Sequence, residues 1–203
     1  WGLQALKKLN PERYLQDPSE HIRTWAIRLK MDNQPIDSLF GPREKALPVK
    51  NLSLEKKFIS QAMTDDSGLV RLALASSLQR LPVSSRQELA MALASRPEDA
   101  NDHNLPMLVW AGITPLVEHN LNGLIEIARA TQWSSLRTWI ARAITERSKE
   151  NPVAFAALLK LVGDQTKHAD SLLAGIERAV LGMKGFLKPA KWDLVRSKLS
   201  MNP

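Results

Sequence analysis

DDSGLVRLALASSL, residues 65–78, is the stretch on which the reading of the fold turns. Val70, Ala73 and Leu74 stand at i, i+3 and i+4, so they form one apolar stripe of an α-helix. Asp65, Asp66 and Ser67 lie just ahead and supply a turn that also caps the helix. Two other stretches superimpose on it, DPSEHIRTWAIRL (17–29) and QWSSLRTWIARAI (132–144). With Ile22, Val70 and Leu136 aligned, Arg23, Arg71 and Arg137 coincide. Trp25, Ala73 and Trp139 follow, then Ala26, Leu74 and Ile140. These nine apolar positions are the expected core stripe. Repetition of one helical phrase at unequal spacing is the mark of a repeat architecture.

Working outward, nearly every strong segment has helical period, and strand-like alternation bounded by Asn-Gly or Asp-Gly is missing. Glycine is sparse, at nine residues. Helices are expected over Leu3–Leu9, a short piece near Pro11–Leu15, Glu20–Met31, Leu54–Met63, Gly68–Leu81, Arg86–Ala94, Leu105–His119, Leu121–Ala130, Ser135–Lys149, Val153–Val162, His168–Met183 and Ala190–Leu199. Pro115 lies inside one of them, removes a backbone donor, and predicts a break near Ala111–Gly112. Residues 32–53, with prolines at 35, 42 and 48, read as an irregular loop or insertion, with room for a short helix around Arg43–Ala46.

The chain has 203 residues, 44% apolar and 24% charged, enough to bury a core without staples. It contains no cysteine, which excludes disulfides, cysteine-ligated zinc, iron–sulfur clusters and CxxCH haem attachment. No apolar window reaches the length of a membrane helix, and no signal peptide is visible. The chain opens at Trp1 inside a helical pattern and reads as a piece of a longer protein. Lys and Arg exceed Asp and Glu by 28 to 21, unevenly: residues 1–60 carry net +4, 61–120 net −3 and 121–203 net +6. The acidic middle argues against a nucleic-acid partner, although basic balance in itself favours one.

A turn with Asp-Pro-like chemistry followed by a helix opening x-V-R-x-x-A resembles HEAT repeats. The implied fold is all-α: a right-handed α-solenoid of four to six HEAT-like helix pairs, an ARM-repeat-like superhelix, spanning 1–203 as one domain. A helix pair in such an array cannot cover its own apolar face and stacks on its neighbours. Each arginine of the set Arg23, Arg71 and Arg137 can then tie adjacent turns together or contribute to a ligand surface. Reach and position favour the tie.

The resemblance extends further. DPSEHIRTWAIRL, DDSGLVRLALASSLQRLP, EDANDHNLPMLVWAGITPLV and LLAGIERAVLGMKGFLKPAKW occur in that order. The series resembles the helical-repeat region of a family of membrane-bound dehydrogenases, large haem-binding CxxCH proteins of planctomycete-like bacteria. DANDHNLP followed by WAGITPL is its most specific part. In that family a propeller similar to sugar dehydrogenases precedes the repeats, and a c-type cytochrome domain follows. The resemblance implies a non-catalytic scaffold or docking module in an exported or periplasmic redox protein. Its partners would be the propeller and cytochrome domains, which would hold any haem or quinone; none is expected in this chain. The alternative is a basic nucleic-acid-binding domain resembling the HEAT-like alkylpurine DNA glycosylases, with Arg23, Arg28, Arg137 and Arg142 gathered on one face.

Three further stretches have a sharp and a plain reading. Asp99 to Pro106 could offer oxygen and imidazole ligands, but capping residues and Pro106 in a first turn make it a helix start. Within it Asp102, His103 and Asn104 are the candidate interaction residues. The basic stretch Met183–Lys191 with Trp192 could meet a membrane or nucleic acid, but reads as a helix end. The four histidines show no paired ligand spacing, and GxSxG, GxGxxG and phosphate-loop motifs are absent. The chain is not expected to be an enzyme.

Overall fold

The computed structural model describes residues 10–37, 48–186, 189 and 192–200. Among them all regular structure is helical. The helices are α1 (Glu20–Met31), α2 (Leu52–Thr64), α3 (Gly68–Ser77), α4 (Arg86–Ala94), α5 (Leu105–Ile113), α6 (Leu116–His119), α7 (Leu121–Ala130), α8 (Ser134–Glu146), α9 (Pro152–Asp164), α10 (Ala169–Leu181) and α11 (Trp192–Ser200). A 3-10 turn at Pro11–Tyr14 precedes α1, and others sit at Leu78–Arg80, Val83–Ser85, Pro97–Asp99 and Thr166–His168. The expected helices at Leu3–Leu9 and Arg43–Ala46 lie outside the described residues.

The starts of these helices follow from local chemistry. Asn51, Ser67 and Asn120 accept backbone N–H bonds from Leu54, Val70 and Gly123, which satisfies donors that a first turn leaves orphaned. Pro152 occupies the first turn of α9, where its missing N–H costs nothing. The segment expected to run from Leu105 to His119 is divided at Thr114–Pro115, three residues later than expected. Thr114 N–H still closes onto Trp110 C=O, so the proline's effect falls at its own position rather than upstream.

The packing divides into two compact units, Trp1–Thr114 and Pro115–Pro203, where the sequence reads as one domain. In the first unit α1, α3 and α5 lie side by side in one row, and α2 and α4 form a second row beside it. Ile27, Phe58, Val70, Leu74, Leu93 and Val109 are fully buried between them. The beginning of the long connection is pinned to this unit. Asp37 N–H bonds Gln79 C=O, and Arg80 bonds Gln34 C=O. In the second unit α8 and α10 are in intimate contact, α7 and α9 pack beside them, and α11 packs on α9. Its centre is Trp133, Leu136, Ile140, Leu158 and Leu172.

Glycine permits two close helix approaches. A Cβ on Gly112 would stand 2.4 Å from Leu78 Cβ, and one on Gly175 would stand 2.3 Å from Thr138 C=O. Gly175 therefore marks the side of α10 that lies against α8.

Six of the nine expected stripe residues are core: Ala26, Val70, Ala73, Leu74, Leu136 and Ile140. Three need correction. Ile22 and Trp25 are 44% and 42% exposed, and Trp139 is half-buried. The reason for the first two is position. α1 turns Ala26 and Ile27, 3% and 0% exposed, toward the core it shares with α3 and the Pro11–Tyr14 turn, and Ile22 and Trp25 lie off that face. Trp25 instead lies beneath the Arg28 guanidinium, 5.6 Å from its ring centre.

Candidate functional site

The three arginines share one local geometry. Each helix is entered through a tight turn whose first side chain accepts the N–H two residues on. Ser19 N–H bonds Asp17 Oδ1 at 2.9 Å, Ser67 N–H bonds Asp65 Oδ1 at 3.0 Å, and Trp133 N–H bonds Thr131 Oγ1 at 3.0 Å. Six residues after each turn residue stands the arginine, and each donates back to that residue's carbonyl: Arg23 to Asp17, Arg71 to Asp65 and Arg137 to Thr131. The guanidinium also reaches forward. Arg23 grips the Asp65 carboxylate through Nε and Nη2, both at 2.8 Å. Arg71 grips Asp99 in the same bidentate way at 2.5 and 2.7 Å. One turn's aspartate thus serves its own loop, the arginine behind it and, by its carbonyl, the arginine ahead.

Electrostatics follow burial. Arg71 is only 3% exposed, and the Asp99 carboxylate raises its pKa against the opposing effect of desolvation. Burial pushes the Asp65 carboxyl up, but Arg23, Ser67 N–H and Gln61 together outweigh it and hold it below the usual carboxylate value. Arg137 departs from the pattern. It is 2% exposed, and its forward partner is the Ser171 hydroxyl at 3.2 Å rather than a carboxylate. Desolvation lowers its pKa. A third buried arginine, beside Arg71 and Arg137, carries no signal in the repeat alignment. Arg86, 1% exposed, donates to Leu81 and Gly112 carbonyls and pairs with Asp37 at 3.1 Å. Its partner sits in the loop 49 residues upstream, so only the tertiary structure brings them together.

The Asp102–His103–Asn104 corner is on the surface. Its carboxylate has a structural task. Asp102 Oδ1 accepts N–H bonds from Asn104 at 2.8 Å and Leu105 at 2.7 Å, capping α5. Those two bonds, Leu105 first, hold its carboxyl below the ordinary range. Pro106 stands in the first turn, as the plain reading expects. His103 and Asn104 remain as exposed side chains. Asp99, assigned to the same cluster by sequence, is 6% exposed and belongs to the Arg71 pair.

The second unit holds a concave apolar pocket of about 510 Å³ that the sequence does not announce. Phe155, Leu173, Val180, Phe186 and Trp192 are among its walls, with Asp170 and Glu177 from one face of α10. Phe155 and Phe186 meet edge to face at 5.9 Å. The basic stretch therefore contributes Phe186 to an apolar contact. Among the described residues no three His, Asp or Glu side chains converge as a metal site would require, and no helix is long and apolar enough to cross a membrane.

Of the arginines named for a phosphate-binding face, Arg137 is enclosed and Arg23 is held by Asp65. Arg142 pairs with Glu146 at 2.7 Å, and Arg28 lies over Trp25. No family model, curated protein or solved structure matches the chain.

Proposed function

We propose that this chain is a non-catalytic helical-repeat module that spaces or docks other protein domains. The observation that carries the reading is the recurring turn-and-arginine geometry, which gives successive helices a fixed offset and presents a rigid surface. Repeat arrays bind through such surfaces. On this reading the rows form a right-handed α-solenoid of HEAT-like pairs. The sequence resemblance supplies the setting: an exported redox protein whose propeller and c-type cytochrome domains carry the chemistry and any haem or quinone.

The exposed His103 and Asn104 are the proposed contact residues, with Asp102 holding the corner in shape. Calorimetric titration of the chain with a propeller domain and with a c-type cytochrome domain of that family tests the reading. Binding to either, weakened by H103A/N104A without loss of helix content, supports it. Binding to neither removes the docking role. Oxidation of a sugar by the chain alone, followed with a dye acceptor, overturns the non-catalytic assignment.

A further inference from the structure

Helix α10 carries two stripes. Leu172, Gly175, Ile176 and Ala179 form the buried one, with Gly175 pressed against the backbone of α8. Asp170, Leu173, Ala174, Glu177 and Val180 recur at the same helical spacing and line the apolar pocket of the second unit. Packing against α8 accounts for the first stripe. It does not account for a second stripe in which an apolar middle lies between two carboxylates.

The chemistry of the pocket is one-sided. Its volume of about 510 Å³ lies within the span of small-molecule sites, roughly 300–1,000 Å³. Phe155 from α9, Phe186 from the connection after α10 and Trp192 at the start of α11 bring aromatic rings to it. Asp170 and Glu177 are the charged groups of the lining, and no lysine, arginine or histidine stands among the described residues that form it. Both carboxylates are exposed, and neither is paired with a cation among the described residues. Seven residues at about 1.5 Å each set them roughly 10 Å apart along α10. Leu173 and Ala174 lie between them on the same face.

We propose that this pocket binds a small organic dication, two ammonium centres held roughly 10 Å apart by an apolar chain. Each carboxylate takes one positive centre, and the chain lies over Leu173 and Ala174. The rings of Phe155, Phe186 and Trp192 receive the alkyl groups and the charge spread over them, as aromatic walls do for quaternary ammonium ions. A neutral apolar molecule would leave the acidic rim unused, and an anion would be repelled by it. Carboxylates two helical turns apart cannot share one metal ion, whereas they match a molecule with a charge at each end. The site adds a ligand to the module and does not rest on the docking role proposed above, so the two can fail separately.

The probe is octamethylene bis(trimethylammonium), titrated into the isotope-labelled full chain and followed by calorimetry and nuclear magnetic resonance. The expected result is saturable binding of one probe per chain, with shifts at the Trp192 indole, Leu173 and Val180. Octyltrimethylammonium, with a single charge, should bind roughly fivefold more weakly, and the neutral octanediol should not compete. Asp170→Asn and Glu177→Gln keep the shape of exposed side chains, so helical circular dichroism should be unchanged. Each should weaken the dication roughly fivefold, and Trp192→Leu by a similar factor. No saturable binding at millimolar probe overturns the proposal. So does octanediol binding as tightly as the dication, or an affinity indifferent to both carboxylate changes. Lys188 and Lys191 lie close by in the sequence and are the chain's own rival cations. Binding that appears only after Lys188→Ser with Lys191→Ser would assign the carboxylates to those lysines and overturn the proposal as well.

Discussion

Arg71 and Arg137 occupy equivalent places, yet one is neutralised by a carboxylate and the other is surrounded by neutral oxygens. The two should respond differently to mutation. Arg71→Ala leaves Asp99 buried with neither of its two charge-assisted bonds from that guanidinium, and should destabilise the chain by about 3–5 kcal/mol in denaturant titration. Removing both partners together, as Arg71→Met with Asp99→Leu, should cost far less, because the cost lies in the stranded charge. A double variant as unstable as the single would show that packing, not charge, sets the penalty. Arg137 also governs a neighbour. Burial first, then the Arg137 charge, depresses the pKa of His168 below its usual value of about 6.5. The unfolded chain therefore binds the proton more readily than the folded one. Stability should be intact above pH about 6.5 and fall as pH drops from there toward the lowered native value. His168→Gln should flatten that part of the profile. The carboxyls of Asp65 and Asp102 act lower: their contribution is present above their ordinary pKa near 4 and is lost as acid protonates them.

At the scale of elements, helix contacts here depend on small residues at crossings and on caps at ends. Gly175→Ala would drive a Cβ to within 2.3 Å of Thr138 C=O and 2.7 Å of Ala141 Cβ, so α10 must back away from α8. A loss of about 1–3 kcal/mol is expected, with Gly182→Ala, where the nearest neighbour is 3.5 Å away, as the mild control. Leu74→Ala opens a cavity in the middle of α3 and should cost about 2–5 kcal/mol, since Leu74 is wholly buried. The cap is smaller: Asp102→Ala should lose about 0.5–2 kcal/mol while His103→Ala, exposed, loses almost nothing. Equal losses at the two positions would contradict the cap geometry. The ends of α1, α4 and α7 are legible from sequence because capping residues and the apolar period agree there. The division at Pro115 is legible as an event but not in place, because sequence alone cannot say whether the proline's clash or the surrounding packing decides where the helix stops.

At the scale of the whole chain, two compact units each have their own buried centre. Residues 115–203 bury Trp133, Leu136, Ile140, Leu158 and Leu172 within one unit, so that fragment should retain helical circular dichroism and cooperative melting when made alone. A fragment with helix content but no cooperative transition would show that the second core is incomplete without the first unit. The repeated phrase, present at 17–29, 65–78 and 132–144, runs through both units, so it does not mark where one ends. A shared local pattern conceals where long-range contacts thin out.

The sequence by itself determined the helical class, most helix positions, the turns at Asp17 and Asp65, and the equivalence of Arg23, Arg71 and Arg137. All of these are short-range: they follow from apolar period, capping chemistry and the shared place of the arginine one residue after the first apolar anchor. The tertiary structure alone decided what each equivalent residue meets. It paired Arg71 with Asp99 but Arg137 with Ser171, and it left Ile22 and Trp25 exposed where Val70 and Ala73 are buried. It also joined Arg86 to Asp37 across the long connection, and closed an apolar pocket around Phe155 and Phe186. The physical reason is that a repeat sets the geometry of one helix and its turn, while burial and charge pairing belong to the neighbour, and the neighbour is chosen by the packing of the chain.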